Sequence, residues 1–287
     1  MRDVTEANLT DAVLAKLAGA TNPRFQQVMS SLLRHLHAFT REVELTEAEW
    51  FAGIQFLTAV GQKCDAKRQE FILLSDTLGV SMLVDALNHR KSTGASESTV
   101  LGPFYVPGAP ELANGTNLAA GLPGEPTLFS GRVLTVDGKP IPGAQIDTWQ
   151  ADAEGFYDVQ RPNLNGMRLR GKFRTDARGQ FCFWTVKPTE YPIPTDGPVG
   201  QMLLSMGRHP YRPAHIHTIV SAPGFEPLTT HLFVAGDRYL ESDAVFGVKD
   251  SLVVDFVRHE PGIAPDGTKL DRPYFTVQYN FGLPATK

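Results

Sequence analysis

The sequence predicts a mixed α and β chain, an N-terminal helical domain followed by a C-terminal antiparallel β-sandwich, and three observations carry that reading. Apolar residues recur at helical spacing through the first hundred positions. Nearly all of the 21 prolines come from Pro103 onward, so the composition changes there. Beyond Leu101, short apolar runs are divided by turns containing Gly and Pro, which argues for a sandwich of short strands over βαβ units. For a chain of 287 residues one large or two modest domains is the prior, and the boundary falls at residue 100: a helical domain over 1–100 and a sandwich over 101–287.

Taken in order, Asn22-Pro23 is a helix-start signal. Phe25, Val28, Met29, Leu32, Leu33 and Leu36 then follow the i, i+3, i+4 rule of an amphipathic helix. The pattern repeats over 47–60, 68–74 and 80–88, before a Ser/Thr/Gly linker over 92–99. In the second half, 128–134 runs into Asp137-Gly138, a hairpin signal, and then 144–150. Asp176-Ala177-Arg178-Gly179 is a second turn and opens 180–186; runs 215–221, 228–234, 251–257 and 275–279 complete at least seven short strands.

Charge and composition exclude several classes. With 27 Lys+Arg against 31 Asp+Glu the formal charge is −4, too balanced for strong attraction to nucleic acid or anionic lipid. No run of 18 uncharged apolar residues is present, and acids stand near the start where a signal peptide needs an apolar run; a cytoplasmic protein with no membrane partner is expected. Cys64 and Cys182 are too few for a disulfide framework or a thiolate zinc site, so any metal must be held by other ligands.

Arg212-Pro213-Ala214-His215-Ile216-His217 is the most informative run. A strand has period two, so it sets both imidazoles on one face and Ile216 on the other. His35 and His37 share that spacing but lie in a helical pattern, where they do not face each other. The alternative for His215 and His217 is a structural pair on a half-buried face. A zinc site would have to recruit a remote carboxylate, since neither HExxH nor CxxC occurs. Tyr157 and Tyr191 are the other candidates, either as interfacial aromatics or as ligands. A phenol, with a pKa of about 10, ligates only a strongly Lewis-acidic ion, which favours Fe(III).

Several ordered motifs carry a resemblance: Leu101-Gly102-Pro103-Phe104-Tyr105, Trp149-Gln150-Ala151-Asp152 with Gly155-Phe156-Tyr157, the run from Arg170 to Asp176, Tyr191-Pro192-Ile193-Pro194, and the Arg212 to His217 run. Together they make the chain similar to the intradiol ring-cleaving dioxygenases, and the runs from Pro194 to Gly200 and from Glu241 to Lys249 resemble the branch acting on hydroxyquinol, benzene-1,2,4-triol. The resemblance implies one Fe(III) per subunit held by Tyr157, Tyr191, His215 and His217. It implies a diol or triol and O2 as reactants and a muconate-type dicarboxylate as product, 3-hydroxy-cis,cis-muconate (maleylacetate) from the triol. Tyr191 is then the departing tyrosinate and Arg212 stabilises charge on the ring. Leu73, Asp76, Val100, Gly102, Pro103, Phe104 and Phe183 would surround the substrate. Asp76 would face a third hydroxyl, against the plainer reading of a solvated helix edge. His231, also placed at the substrate pocket, stands where catechol-type enzymes commonly have glutamine, and either hydrogen-bonds behind the metal ligands or simply packs there. The resemblance further implies a homodimer through the N-terminal helices, 5–18 and 22–39, with a lipid bound between them. Three other readings stay open: a catechol or substituted-catechol enzyme, a zinc hydrolase using His215 and His217, and a metal-free sandwich binding module.

Overall fold

The computed structural model describes residues 2–66, 68–90, 93–161, 164 and 166–286. Ser92, the expected start of the linker, lies outside the described residues. The chain divides into two compact units, Met1–Ala59 and Val60–Lys287.

The first unit is helical, with α1 (Leu9–Ala15), α2 (Pro23–Glu42) and the start of α3 (Glu47–Lys63). Asn22 caps α2 as its sequence signal requires, its Oδ1 accepting the Phe25 N–H at 3.0 Å, with Pro23 in the first turn. Thr46 and Glu49 form a capping box at α3: Thr46 Oγ1 accepts the Glu49 N–H at 3.3 Å and Glu49 Oε2 the Thr46 N–H at 3.0 Å. The expected stripe of α2 faces outward, Phe25, Val28, Leu32, Leu36 and Phe39 being 46–56% exposed. His37 bonds Thr10 at 3.0 Å, which accounts for one histidine of the helical pair.

The second unit begins with α4 (Glu70–Thr77) and α5 (Val80–Asn88), joined through Gly79 at φ +74°. Strands follow in the order β1 (Pro126–Thr135), β2 (Gln145–Trp149), β3 (Arg170–Arg174), β4 (Gln180–Val186) and β5 (Tyr191–Pro192). After α6 (Pro198–Ser205) come β6 (Tyr211–Arg212), β7 (His215–Ser221), β8 (Leu228–Val234) and β9 (Val253–Val254). β10 (Val257–His259), β11 (Gly262–Ile263), β12 (Lys269–Leu270) and β13 (Tyr274–Leu283) end the series. Two sheets, β10-β13-β1-β4 and β3-β2-β7-β8-β9, enclose a core that includes Phe129, Phe173, Ile216, Leu232 and Phe281. Most pairs are antiparallel; β1–β13 and β8–β9 are parallel.

Three local expectations change. Asp137-Gly138 does make a tight turn, with the Thr135 N–H bonded to the Lys139 carbonyl at 2.8 Å, but β1 and β2 belong to different sheets. The chain crosses between layers because both flanking runs have an apolar face to bury. The run 251–257 is a short 3-10 turn (Asp250–Leu252) followed by β9 and the start of β10, in separate sheets. β3 and α6 are additions; Gly197-Pro198 is the start signal for α6. No helix among the described residues is long and apolar enough to cross a membrane.

Candidate metal centre

β7 presents His215 and His217 on one face while Ile216 enters the core between the sheets, as a period of two demands. His217 stands opposite Trp149 of β2 and His231 of β8. The Trp149 ring stacks on His217 with centroids 4.6 Å apart at 13°, which fixes the imidazole plane. Tyr157 lies beyond the end of β2, and its N–H donates to Gln160 Oε1 at 2.9 Å. The next residue, Asp158, pairs with Arg170 of β3, their side chains 4% and 1% exposed. Tyr191 arrives on β5, opposite Arg212 of β6. Gly155 lets the two tyrosine loops meet: its φ is +85°, and a Cβ there would lie 3.1 Å from the Tyr191 Cβ.

Four buried donor atoms converge. Tyr157 Oη is 3.1 Å from Tyr191 Oη and 2.8 Å from His217 Nε2; His215 Nε2 is 3.1 Å from His217 Nε2 and 3.5 Å from Tyr191 Oη. Ligands placed tetrahedrally at ~2.0 Å from one ion lie about 3.3 Å apart, so the set fits a single metal ion. His215 Nδ1–H donates to the Pro213 carbonyl at 2.7 Å, leaving the Nε2 lone pair turned to the cluster. Burial and the Arg212 charge push the His215 pKa down to about 3, and burial with neighbouring imidazoles takes His217 well below its ordinary value. Both are neutral donors. Burial raises both phenols above their ordinary value, a direction that only a strongly Lewis-acidic cation reverses. Two phenols and two imidazoles, without thiolate or carboxylate, therefore suit a hard ferric ion better than zinc.

His231 also comes within 4.8 Å of the other two histidines by its nearest nitrogen, a second candidate set. Its Nδ1 lies 3.4 Å from Arg212 Nη2, its ring packs against both His215 and His217 at 4.8 and 4.0 Å, and a set of three imidazoles brings no anionic donor to offset a cation's charge. The tyrosine-containing set is the better metal cage. Arg212 Nη1 lies 3.3 Å from His215 Nε2. Burial would lower the guanidinium pKa, but Asp243 and the tyrosines outweigh it, so the charge is retained.

A cavity of about 600 Å³ is lined by Leu73, Pro103, Phe104, Val159, Ile193 and Pro194 among others, and Phe104 links it to the cluster. Phe104 stacks on Tyr157 at 4.5 Å and 24°. Gly102 has φ +77°, and a Cβ on it would lie 3.2 Å from His217 Cε1, so the chain passes directly over that ring. Val100 is buried, with its backbone beside His231. Asp76, one turn after Leu73 on α4, is 2% exposed and its Oδ2 has no hydrogen-bond partner. Burial raises its carboxyl, while Ser81 and the nearby Arg212 pull it back. This corrects the solvated-edge alternative. Phe183 is a second correction: it lies in the inter-sheet core, stacked on Phe173 at 4.6 Å and 7°, because its alternation on β4 turns it inward, and it belongs to a different apolar cluster from Phe104, Tyr157 and Tyr191. Sequence reasoning missed Trp149 as a support for His217, and the partners Asp158 and Asp243. Asp243 sits 31 positions from Arg212, and no spacing rule joins them.

Comparison with known proteins places these features in context. A family model described as "Dioxygenase" matches residues 100–283, and one described as "Catechol dioxygenase N terminus" matches residues 22–96. The chain is 55% identical over 262 residues to a 6-chlorohydroxyquinol 1,2-dioxygenase of Cupriavidus pinatubonensis, covering 91% of this chain and 95% of the relative. It is 55% identical over 256 residues to a hydroxyquinol 1,2-dioxygenase of a Rhizobium species, covering 89% and 87%. Among solved structures, hydroxyquinol 1,2-dioxygenase from Pseudomonas putida DLL-E4 superposes with a TM-score of 0.89 at 52% identity, over 98% of this chain and 99% of that one. Catechol 1,2-dioxygenase from Acinetobacter sp. ADP1 gives 0.84 at 30% identity, over 98% and 92%.

Proposed function

The chain belongs to the intradiol ring-cleaving dioxygenases, and from that membership we propose that it opens the ring of hydroxyquinol between adjacent hydroxylated carbons, with both atoms of O2 entering 3-hydroxy-cis,cis-muconate, the tautomer of maleylacetate. The observation that carries the reaction class is the ring of four contacts, 2.8–3.5 Å each, that joins Tyr157, His217, His215 and Tyr191. The family is iron-dependent, and these four residues would hold one Fe(III) per subunit. When bound, a ferric ion would supply Lewis acidity toward an adjacent diol.

The chain's own residues do the rest. Held as a tyrosinate, Tyr191 Oη, on a ladder of only two residues, would accept the proton of one substrate hydroxyl and become the neutral phenol. Arg212 offers its charge where negative charge develops on the ring. Leu73, Val100, Pro103 and Phe104 flank the ring and exclude water. Asp76 accepts the third hydroxyl, the polar contact that separates the triol from catechol. His231 packs behind the two imidazoles and keeps their rings in place. Metal analysis, a visible spectrum and a substrate panel test this reading. Iron near one per chain, a wine-red tyrosinate charge-transfer band, and higher kcat/KM on the triol than on catechol are expected. A colourless preparation that stays inactive after ferric loading refutes the reaction class, and better turnover of catechol refutes the substrate.

The division at residue 100 is proposed as one of roles. The segment 1–100 supplies dimer contacts and pocket walls; 101–287 supplies the catalytic sandwich. The exposed stripe of α2 supports docking of a second copy, with a bound lipid there as the family likeness implies. Sedimentation showing a monomer at micromolar concentration refutes the dimer. The cytoplasm is the proposed location.

A further inference from the structure

We propose that Asp243 is a positioning residue for Arg212, and that the turn Asp243–Gly247 exists to hold the guanidinium in one orientation beside the donor cluster. The inference rests on the reading of Arg212 as the charge-stabilising group. Both side chains are buried, 3% and 2% exposed, and they meet through two parallel bonds, Nε to Oδ1 at 3.0 Å and Nη2 to Oδ2 at 3.1 Å. The carboxylate is itself clamped, accepting the N–H groups of Val245 at 3.3 Å and Gly247 at 2.9 Å. Presenting those N–H groups puts Phe246 at φ +60°, an uncommon and strained conformation for a bulky residue. Thr99 anchors the same turn by donating to the Gly247 carbonyl at 3.0 Å.

Space points the same way. A Cβ on Gly247 would lie 2.9 Å from Arg212 Nη2, 3.0 Å from Thr99 Oγ1 and 3.2 Å from Asp243 Oδ2. The φ of Gly247 lies outside the left-handed range, so glycine is required there by the guanidinium and its anchors, not by the backbone. Of the five N–H donors of a guanidinium, Asp243 engages two, and two of the other three lie on nitrogens 3.3 Å from His215 Nε2 and 3.4 Å from His231 Nδ1. A displacement of about 1 Å in such a group costs on the order of 100-fold in rate.

The test is a double-mutant cycle. In the iron-loaded full chain, Asp243→Asn and Gly247→Ala each lower kcat by about 10- to 100-fold, with KM for the triol and the iron-to-protein ratio kept. Anaerobic binding of the triol, read separately from turnover, is also kept. In an Arg212→Met background neither substitution lowers kcat further. Equal losses in both backgrounds, or a rise in KM with unchanged kcat, overturn the proposal while leaving Arg212 as a catalytic group. Wild-type turnover by Arg212→Met removes both. Should Asp243→Asn fail to fold, Gly247→Ala, which keeps every charge, carries the cycle alone.

Discussion

Replacing Asp76 by alanine separates the two substrates most sharply. Its carboxylate is 2% exposed, one turn from Leu73 of the cavity wall, and carries an oxygen without a partner. A ring hydroxyl that donates to this oxygen satisfies it, and a hydrogen bond to a charged group contributes about 1.5–3 kcal/mol, equivalent to roughly 13- to 160-fold in rate or affinity. Asp76→Ala therefore lowers kcat/KM for hydroxyquinol by that factor. Catechol has no third hydroxyl, so its kcat/KM stays level or rises as a buried oxygen without a partner is removed. Asp76→Asn keeps an accepting oxygen without charge and falls between. Oxygen uptake on both substrates, normalised to bound iron, gives the ratio directly. If both substrates fall by one common factor, so that the ratio shifts less than about 3-fold, Asp76 supports the fold and does not read the third hydroxyl.

Other substitutions probe the remaining parts. Tyr191→Phe keeps part of the iron, shifts the visible band and loses turnover; unchanged activity excludes it as a ligand. His217→Ala strips the metal, which an iron assay checks, and full occupancy counts against the four-residue cage. Asp158→Asn leaves Arg170 buried and unpaired beside Tyr157, lowering stability by about 3–5 kcal/mol in a urea titration; a loss under about 1 kcal/mol makes the pair dispensable. For pH, burial would raise the carboxyl of Asp85, but Ser98, Lys249 and His89 hold it below its ordinary value. The folded pKa being the lower one, the stability advantage of wild type over Asp85→Asn is full above about pH 4 and vanishes as pH falls through the depressed pKa. A constant difference down to pH 2 contradicts that sign.

How far the sequence carried is clearest at particular residues. Periodicity set α2 through α5 to within a few positions, and the runs 180–186, 215–221 and 228–234 coincide with β4, β7 and β8, because alternation and capping are local. The histidine pair was legible for the same reason, since two residues on one strand need no tertiary knowledge to share a face. The tyrosines were different. Tyr157 stands in an irregular segment and Tyr191 on a strand of two residues, too short to show an alternation, and only likeness to a family singled them out before the fold brought their hydroxyls to 3.1 Å. Phe183 shows the opposite hazard, a pocket assignment by position that the inward alternation of β4 overrules. Sheet membership was also hidden: the turn after β1 reads as a hairpin locally, and what sends the next strand to the other layer is the burial of two faces, a property of the whole unit.

The parallel pairing of β1 with β13, nine residue pairs from Thr127–Phe275 to Thr135–Leu283, has a consequence for how the molecule is made. At a synthesis rate of roughly 5–20 residues per second, the partner strand of β1 follows it about 150 residues and roughly 7–30 s later. Until then Phe129 and Val133 lack one wall of their final surroundings, and one edge of β1 is unpaired on the growing chain. Such long-range closure is slow and exposed to aggregation, so the yield of this enzyme in a host cell should rise at low temperature and with chaperones that shield nascent strands, for reasons separate from its supply of iron.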